Sequence, residues 1–496
     1  MSASLPCLTA LAGALLQAPS GWTEHELHPE GDPEVLLCDD LDGDGDRDLL
    51  LIDGRRVSVF FWSEQGLPEQ PDHRFELPAD TVFTDLGDLN GDRARELVLL
   101  TPSGIQAVGF TGGKADAPRK VEQLACDEIF LYEVPAEDVG WNDVLLDLDG
   151  RGEEDALVPT LSGYRIFFRS DDPTRFTPGG VVPVMPTGSL SFSDASDLGV
   201  VEQTIDMPRI FAGDVSGDGR FEILTFDGTA VRAFAPPDSP SDSPGAPGAT
   251  DVRWELLFER VLYASSASLT EEYLSSRNVR LEDLDGGGAS SLLVVRSLDG
   301  EIDFFSTGED GPLCSRRTLR LEDWVLPPKL IDLDGDGRLD LLAPTIEAVG
   351  YLRLMKIFAS QSYQMRYSIF RNRDRVRYTR TPDEVREITF PLEYETSETG
   401  VRIESRMIYS FDADFDGDGI KDFLVKLSPT ELTVYRGQPG ASFAREPAER
   451  IAISDTAGAL SIAVRTWDLD LDGRSEILLH YEGKAGSPHR YRWLTH

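Results

Sequence analysis

Residues 40–50 read DLDGDGDRDLL: five aspartates at alternate positions, two glycines between them, then a run of leucine. Carboxylates this close repel one another in any compact conformation, so such a stretch folds round a counter-ion or stays unfolded. The Asp-x-Asp-Gly-Asp-Gly spacing favours the ion. Calcium takes roughly six to eight oxygen ligands at flexible geometry, and one tight turn can supply most of them. Side chains at positions 1, 3, 5 and 9 and a carbonyl at position 7 give Asp40, Asp42, Asp44, the carbonyl of Asp46, and Asp48. An EF-hand needs a glutamate at position 12 and flanking helices, whereas position 12 here is Leu51, inside an apolar strand pattern.

The loop recurs eight times, starting at Asp40, Asp88, Asp147, Asp214, Asp283, Asp332, Asp414 and Asp468, at intervals from 48 (40 to 88) to 82 residues (332 to 414). The further candidate ligand sets are Asp88, Asn90, Asp92 and Glu96; Asp214, Ser216, Asp218 and Glu222; and Asp332, Asp334, Asp336, the Arg338 carbonyl and Asp340. Two more are Asp414, Asp416, Asp418, the Ile420 carbonyl and Asp422, and Asp468, Asp470, Asp472, the Arg474 carbonyl and Glu476. Two copies depart from the pattern. Arg151 stands at position 5 of the Asp147 copy, where its cation would replace the metal by pairing with Asp147 and Asp149. Gly287 and Ser291 delete two ligands from the Asp283 copy. Five or six calcium sites are expected, structural in role, neutralising the loops and pinning them.

Each copy sits between a short apolar strand such as EVLLC (34–38) and another such as DLLLID (48–53), followed by a turn and an alternating third strand such as RRVSVFFW (55–62). Units of this size cannot bury both faces alone, and radial packing is the usual solution. The expected fold is all-β, a β-propeller of seven to eight blades with eight favoured, its carboxylate loops joining the first and second strands. WTEHELH (22–28) stands alone before the first unit, and two strands follow the last loop, so the N-terminal strand is expected to close the ring. Residues 1–20 read as a signal peptide, apolar from Leu5 to Leu16 and then small, and 21–496 as a single propeller domain with loop insertions at 235–251 and 345–394.

Composition bounds the partners. With 88 acidic and 47 basic residues the net charge is −41, which argues against nucleic acid or anionic membrane as a ligand. No apolar run approaches the roughly 18 residues of a membrane span. Four scattered cysteines show no CxxC pairing, and there is no G-x-S-x-G, P-loop or H-E-x-x-H motif. Six histidines leave 74–479 empty, but His25, His28, His480 and His489 would approach one another if the chain ends share a blade. The one basic segment carries Arg366, Arg371, Arg373, Arg375, Arg377 and Arg380.

VFTDLGDLNGDRARELVLL (82–100) and IFAGDVSGDGRFEIL (210–224) resemble, over their whole length, the FG-GAP or VCBS repeat of integrin-α-like propellers. The resemblance implies the propeller fold and calcium in the loops but says almost nothing of function; the expected role is a monomeric binding or adhesion module, secreted, periplasmic or on the cell surface, for an unidentified protein or glycan ligand. The alternatives are a structural component of the cell envelope, or a polysaccharide lyase. A lyase would draw its base from the basic segment and from Tyr363, Tyr367 and Tyr378.

Overall fold

The computed structural model describes residues 21–496 apart from 34, 112–113, 122–123, 125–138, 142–143, 161, 173, 185–186, 194–199, 207, 237–252, 264–277, 285, 334–335, 348–350, 373–377, 392, 398–399, 405–407, 429, 440–442, 454–458 and 484–487. The expected signal segment 1–20, and nearly all of the expected loop 235–251, lie outside the described residues.

The second strand of each unit organises everything else. In Asp48–Asp53, DLLLID, the four apolar residues are all buried, so the strand is sandwiched on both faces. It pairs antiparallel with Val35–Asp39 on one edge and Arg56–Phe60 on the other, and His73–Glu76 completes blade 1. The same antiparallel order is built round Glu96–Thr101 (blade 2), Asp155–Thr160 (blade 3), Glu222–Phe226 (blade 4), Ser291–Arg296 (blade 5), Asp340–Ile346 (blade 6) and Asp422–Ser428 (blade 7). Blade 8 comprises Ala459–Trp467, Glu476–Gly483, Arg490–Thr495 and, on its outer edge, Thr23–Leu27. That last pairing runs from Thr23↔Thr495 to Leu27↔Tyr491, so the N-terminal strand joins the C-terminal blade.

Eight blades make eight seams, and each seam holds one apolar cluster. Alternation along a strand divides its side chains between two seams. Leu50 and Ile52 meet Leu97 and Leu99 of blade 2, while Leu49 and Leu51 join Leu469, Leu478, Tyr491 and Trp493 of blade 8. The second of these clusters closes the ring. Trp62 packs edge-on to Trp493 there, and Gly66 (φ +85°) must stay a glycine because a Cβ would run into the Trp493 ring.

The seven-blade alternative is thereby set aside. The degenerate Asp283 copy still opens a four-stranded blade, Val279–Glu282 through Gly311–Arg320. The stretch 345–394, expected as a loop insertion, is mostly blade: Ser362–Phe370 and Glu384–Pro391 are the third and fourth strands of blade 6. What is inserted is smaller, a helix at Tyr351–Ser360 between second and third strands and, after the fourth, a hairpin of Glu393–Ser397 with Gly400–Glu404. The alternation in SYQMRYSIF buries Tyr363, Met365, Tyr367 and Ile369 on one side.

Candidate metal centres

The carboxylate loops are built by their own hydrogen bonds. In all eight copies the position-1 carboxylate accepts the N–H of position 6: Gly45 to Asp40 (3.1 Å), Arg93 to Asp88 (3.0 Å), Gly152 to Asp147 (2.9 Å), Gly219 to Asp214 (2.7 Å), Gly288 to Asp283 (2.8 Å), Gly337 to Asp332 (2.8 Å), Gly419 to Asp414 (2.7 Å) and Gly473 to Asp468 (3.2 Å). This curl needs left-handed backbone at positions 4 and 6, as at Gly43 (φ +79°) and Gly45 (φ +99°). Arg93 (φ +79°) and Leu471 (φ +53°) take the same conformation without being glycine.

The position-9 carboxylate is the rivet. Asp48 is buried, accepts the Leu41 N–H at 2.9 Å, and accepts the Trp62 N–H at 2.8 Å, tying the loop to the end of the third strand. Asp155 repeats this with Leu148 and Arg169, Asp340 with Leu333 and Asn372, and Asp422 with Phe415 and Gly437. Burial pushes the Asp48 carboxyl up to about 7, with Asp42 and Asp44 adding to the rise against those two N–H groups. Burial likewise raises Asp155 to about 6 and Glu476 to about 8.

Among the described residues, five copies bring one oxygen from each of three carboxylates within 4.8 Å of one another: Asp40, Asp42 and Asp48; Asp147, Asp149 and Asp155; Asp214, Asp218 and Glu222; Asp414, Asp416 and Asp422; and Asp468, Asp470 and Glu476. Two oxygens on one calcium stand at most about 5 Å apart, so these triads fit a single hard cation. These acidic clusters could therefore bind metal ions.

Many of the expected ligand oxygens already accept backbone N–H groups. Among the described residues position 5 joins a triad at Asp218, and Asp218, Asp44, Asp92, Asp336, Asp418 and Asp472 all accept the N–H of position 7, from Arg220, Asp46, Ala94, Arg338, Ile420 and Arg474. An aspartate readily makes this short turn with its own backbone. In the Asp147 copy Arg151 pairs with Asp149 at 2.6 Å and reaches the Arg169 carbonyl, while Asp147 accepts from Gly150 and Gly152, so the expected arginine pairing is seen with Asp149 and, among the described contacts, not with Asp147. The Asp88 copy forms no such triad: Asn90 and Arg119 both donate to Glu96. Asp334 lies outside the described residues. Arg436, near Asp416 (3.3 Å) and Asp422 (2.7 Å), is a cation at the Asp414 triad that the repeat pattern did not reveal, because it comes from the end of the third strand.

The loops also touch their neighbours. The N–H at position 8 donates to the preceding blade's loop: Arg47 to the Leu469 carbonyl (2.7 Å), Arg95 to Asp40 (2.8 Å), Ser290 to Asp214 (2.6 Å) and Ser475 to Asp414 (2.7 Å). Arg95 further bridges Asp39 of blade 1 and Glu154 of blade 3. These contacts join the loops of blades 7, 8, 1, 2 and 3, and those of blades 4 and 5, into an acidic rim.

Of the other candidates, His480 and His489 come together, while His25 stacks on Trp493. Tyr363, Tyr367 and Tyr378 are buried in the blade packing, and Arg366 lies among Glu322, Asp323 and Glu387. Those tyrosines are not presented to a polysaccharide at the surface.

Fold and loops together define an eight-bladed β-propeller with carboxylate corner loops. The FG-GAP-like repeat family matches residues 40–99, and with the eight blades this match supports an FG-GAP-repeat propeller. No curated protein matches the sequence. Among solved structures it is similar to an Agrocybe aegerita lectin that recognises non-reducing terminal N-acetylglucosamine, at 14% identity over 85% of this chain and 94% of the lectin, with a TM-score of 0.45. It is also similar to the WD40 domain of Toxoplasma gondii coronin, at 9% identity over 96% of this chain and 87% of that domain, with a TM-score of 0.35.

Proposed function

We propose that the protein is a calcium-stabilised, non-enzymatic binding module working outside the cytoplasm, with calcium holding the rim and the propeller surface taking a protein or glycan. The five carboxylate triads are the observation that carries the reading. Their donors are all oxygen, which suits calcium rather than a softer metal. Asp42, Asp416 and Asp468 are raised by burial and also by neighbouring aspartates, a repulsion that a bound divalent cation removes.

For the ligand, the flank between blades 6 and 7 offers an open groove of about 1000 Å³. Glu384, Glu387, Gln438 and Arg445 supply polar contacts beside Tyr435 and Phe443, the mixture of aromatic and charged groups that suits a sugar or a peptide. The test is retention of a glycan and protein panel on the immobilised full chain, in calcium and in EDTA. Saturable retention in calcium, weakened in Glu387→Ala and Arg445→Ala, is expected; release of shortened polysaccharide into solution would contradict a non-enzymatic module.

A further inference from the structure

The chain's two ends meet in blade 8, and a pair of imidazoles lies at that junction, away from the acidic rim. His480 sits in the strand Glu476–Gly483, and His489 immediately precedes the strand Arg490–Thr495. Register pairs His480 with Tyr491 and Tyr481 with Arg490, which places His489 diagonally across from His480. His480 Nε2 and His489 Nδ1 are 3.0 Å apart, and the His480 ring is stacked on Tyr491 with centroids 4.4 Å apart. The link that leads from the closing strand into blade 1 passes beside them. Asp32 Oδ1 accepts the His489 N–H at 2.9 Å, and Tyr491 donates its hydroxyl hydrogen to the Pro33 carbonyl at 2.5 Å.

Two neutral ring nitrogens 3.0 Å apart, each turning a lone pair to a common point, form a chelate for a borderline metal, for which imidazole is a better donor than the carboxylates of the rim. Metal–nitrogen bonds of about 2.05 Å across a 3.0 Å separation subtend roughly 94°, and an opening of about 0.3 Å reaches the tetrahedral angle. Burial first, and the neighbouring His489 second, lower His480 to about 4, so it is neutral near pH 7, and the hydrogen shared by the two facing nitrogens shifts to the far nitrogen of its own ring when a metal binds. Glu482 and Asp32 supply the negative charge that acts on His480, against Arg465.

We propose that His480 and His489 form a two-imidazole transition-metal site for zinc, copper or nickel where the ring closes, with Asp32 of the N-terminal link positioning His489 through its backbone N–H. Imidazole supplies Nε2 from one residue and Nδ1 from the other, and solvent completes the coordination. The site is chemically independent of the calcium rim.

The test is zinc titration of the full chain in saturating calcium, followed by calorimetry and thermal unfolding. One zinc ion per chain and a raised Tm are expected, both lost in His480→Gln and in His489→Gln. Zinc binding that is absent, or equal in wild type and both histidine variants, overturns the proposal. Should the histidine variants fail to fold, Cu²⁺ bound to the wild-type chain decides it. Hyperfine splitting from two imidazole nitrogens supports the site, and an oxygen-only signal overturns it.

Discussion

At the residue scale, the loop imposes a backbone and the sequence usually obliges with glycine. Leu471 is the informative exception: it holds φ +53° at position 4, 54% exposed, so its side chain gives little packing in return for the strain. A left-handed non-glycine residue costs of order 1 kcal/mol. Leu471→Gly is therefore expected to stabilise the protein by up to about 1 kcal/mol, read as a higher denaturation midpoint, and a loss of stability would show that Leu471 packs usefully. Titration has a direction as well. Without metal, Asp155, Asp48 and Glu476 are raised to about 6, 7 and 8 from ordinary values of 3.8, 3.8 and 4.5. Folded protein keeps these protons while the unfolded chain releases them, so their contribution is complete below about pH 4 and is lost as pH rises to about 8. His480 works the other way, losing its contribution as pH falls from 6.5 towards 4. The three carboxyls outnumber it, so metal-free protein should melt lower at pH 8 than at pH 5.5. In calcium the ionised carboxylates are the bound form, and the slope should reverse. Equal slopes with and without calcium would detach these carboxyls from the ion.

At the element scale, each loop is a corner between two strands, and its capacity for a cation depends on what reaches it from elsewhere. The recurrence of Asp-x-Asp-Gly announced the corners, and the distribution of Leu, Val and Ile announced the strands. The arginines were less legible: Arg119 comes from the fourth strand of blade 2, and Arg436 lies well beyond the loop it neutralises. Pairing across a sheet sets such contacts, and local spacing does not carry them. The strongest triads should be those at Asp40 and Asp468, whose carboxylates have no ion pair to an arginine among the described contacts of either triad. These loops adjoin, since Arg47 donates to Leu469 and Asp470 raises Asp46 by repulsion. Asp40→Asn should remove part of the calcium-dependent rise in Tm. Asp283→Asn, in a loop that lacks carboxylates at positions 5 and 9, should leave that rise unchanged. A double Asp40→Asn/Asp468→Asn variant should lose a different amount from the two single losses combined, since a cation in one loop relieves the other. Strict additivity would mean the two loops are uncoupled.

At the scale of the whole molecule, eight marginal sheets become one fold because every seam is filled and the last is closed by strands from opposite ends of the chain. The blade count was legible from the eight loops, including the weak Asp283 copy, since a blade survives on its buried strands after its ligands are gone. The interval 332–414 misled because the helix Tyr351–Ser360 separates strands that belong together. Trp493 is the centre of the closing seam, fully buried beside Trp62 and His25. Trp493→Ala should cost about 3–5 kcal/mol, against about 1 kcal/mol or less for removal of exposed Val261 on an outer strand. Similar costs at the two sites would mean the ring does not depend on its closing seam. The central claim, that the carboxylate loops are cation sites holding the propeller together, is tested most directly by thermal unfolding of the full chain in calcium and in EDTA. Each filled site adds RT ln(1 + [L]/Kd), about 2.7 kcal/mol at a hundredfold excess over Kd, so several sites predict a large, calcium-concentration-dependent rise in Tm. A melting curve that EDTA leaves unchanged would contradict it.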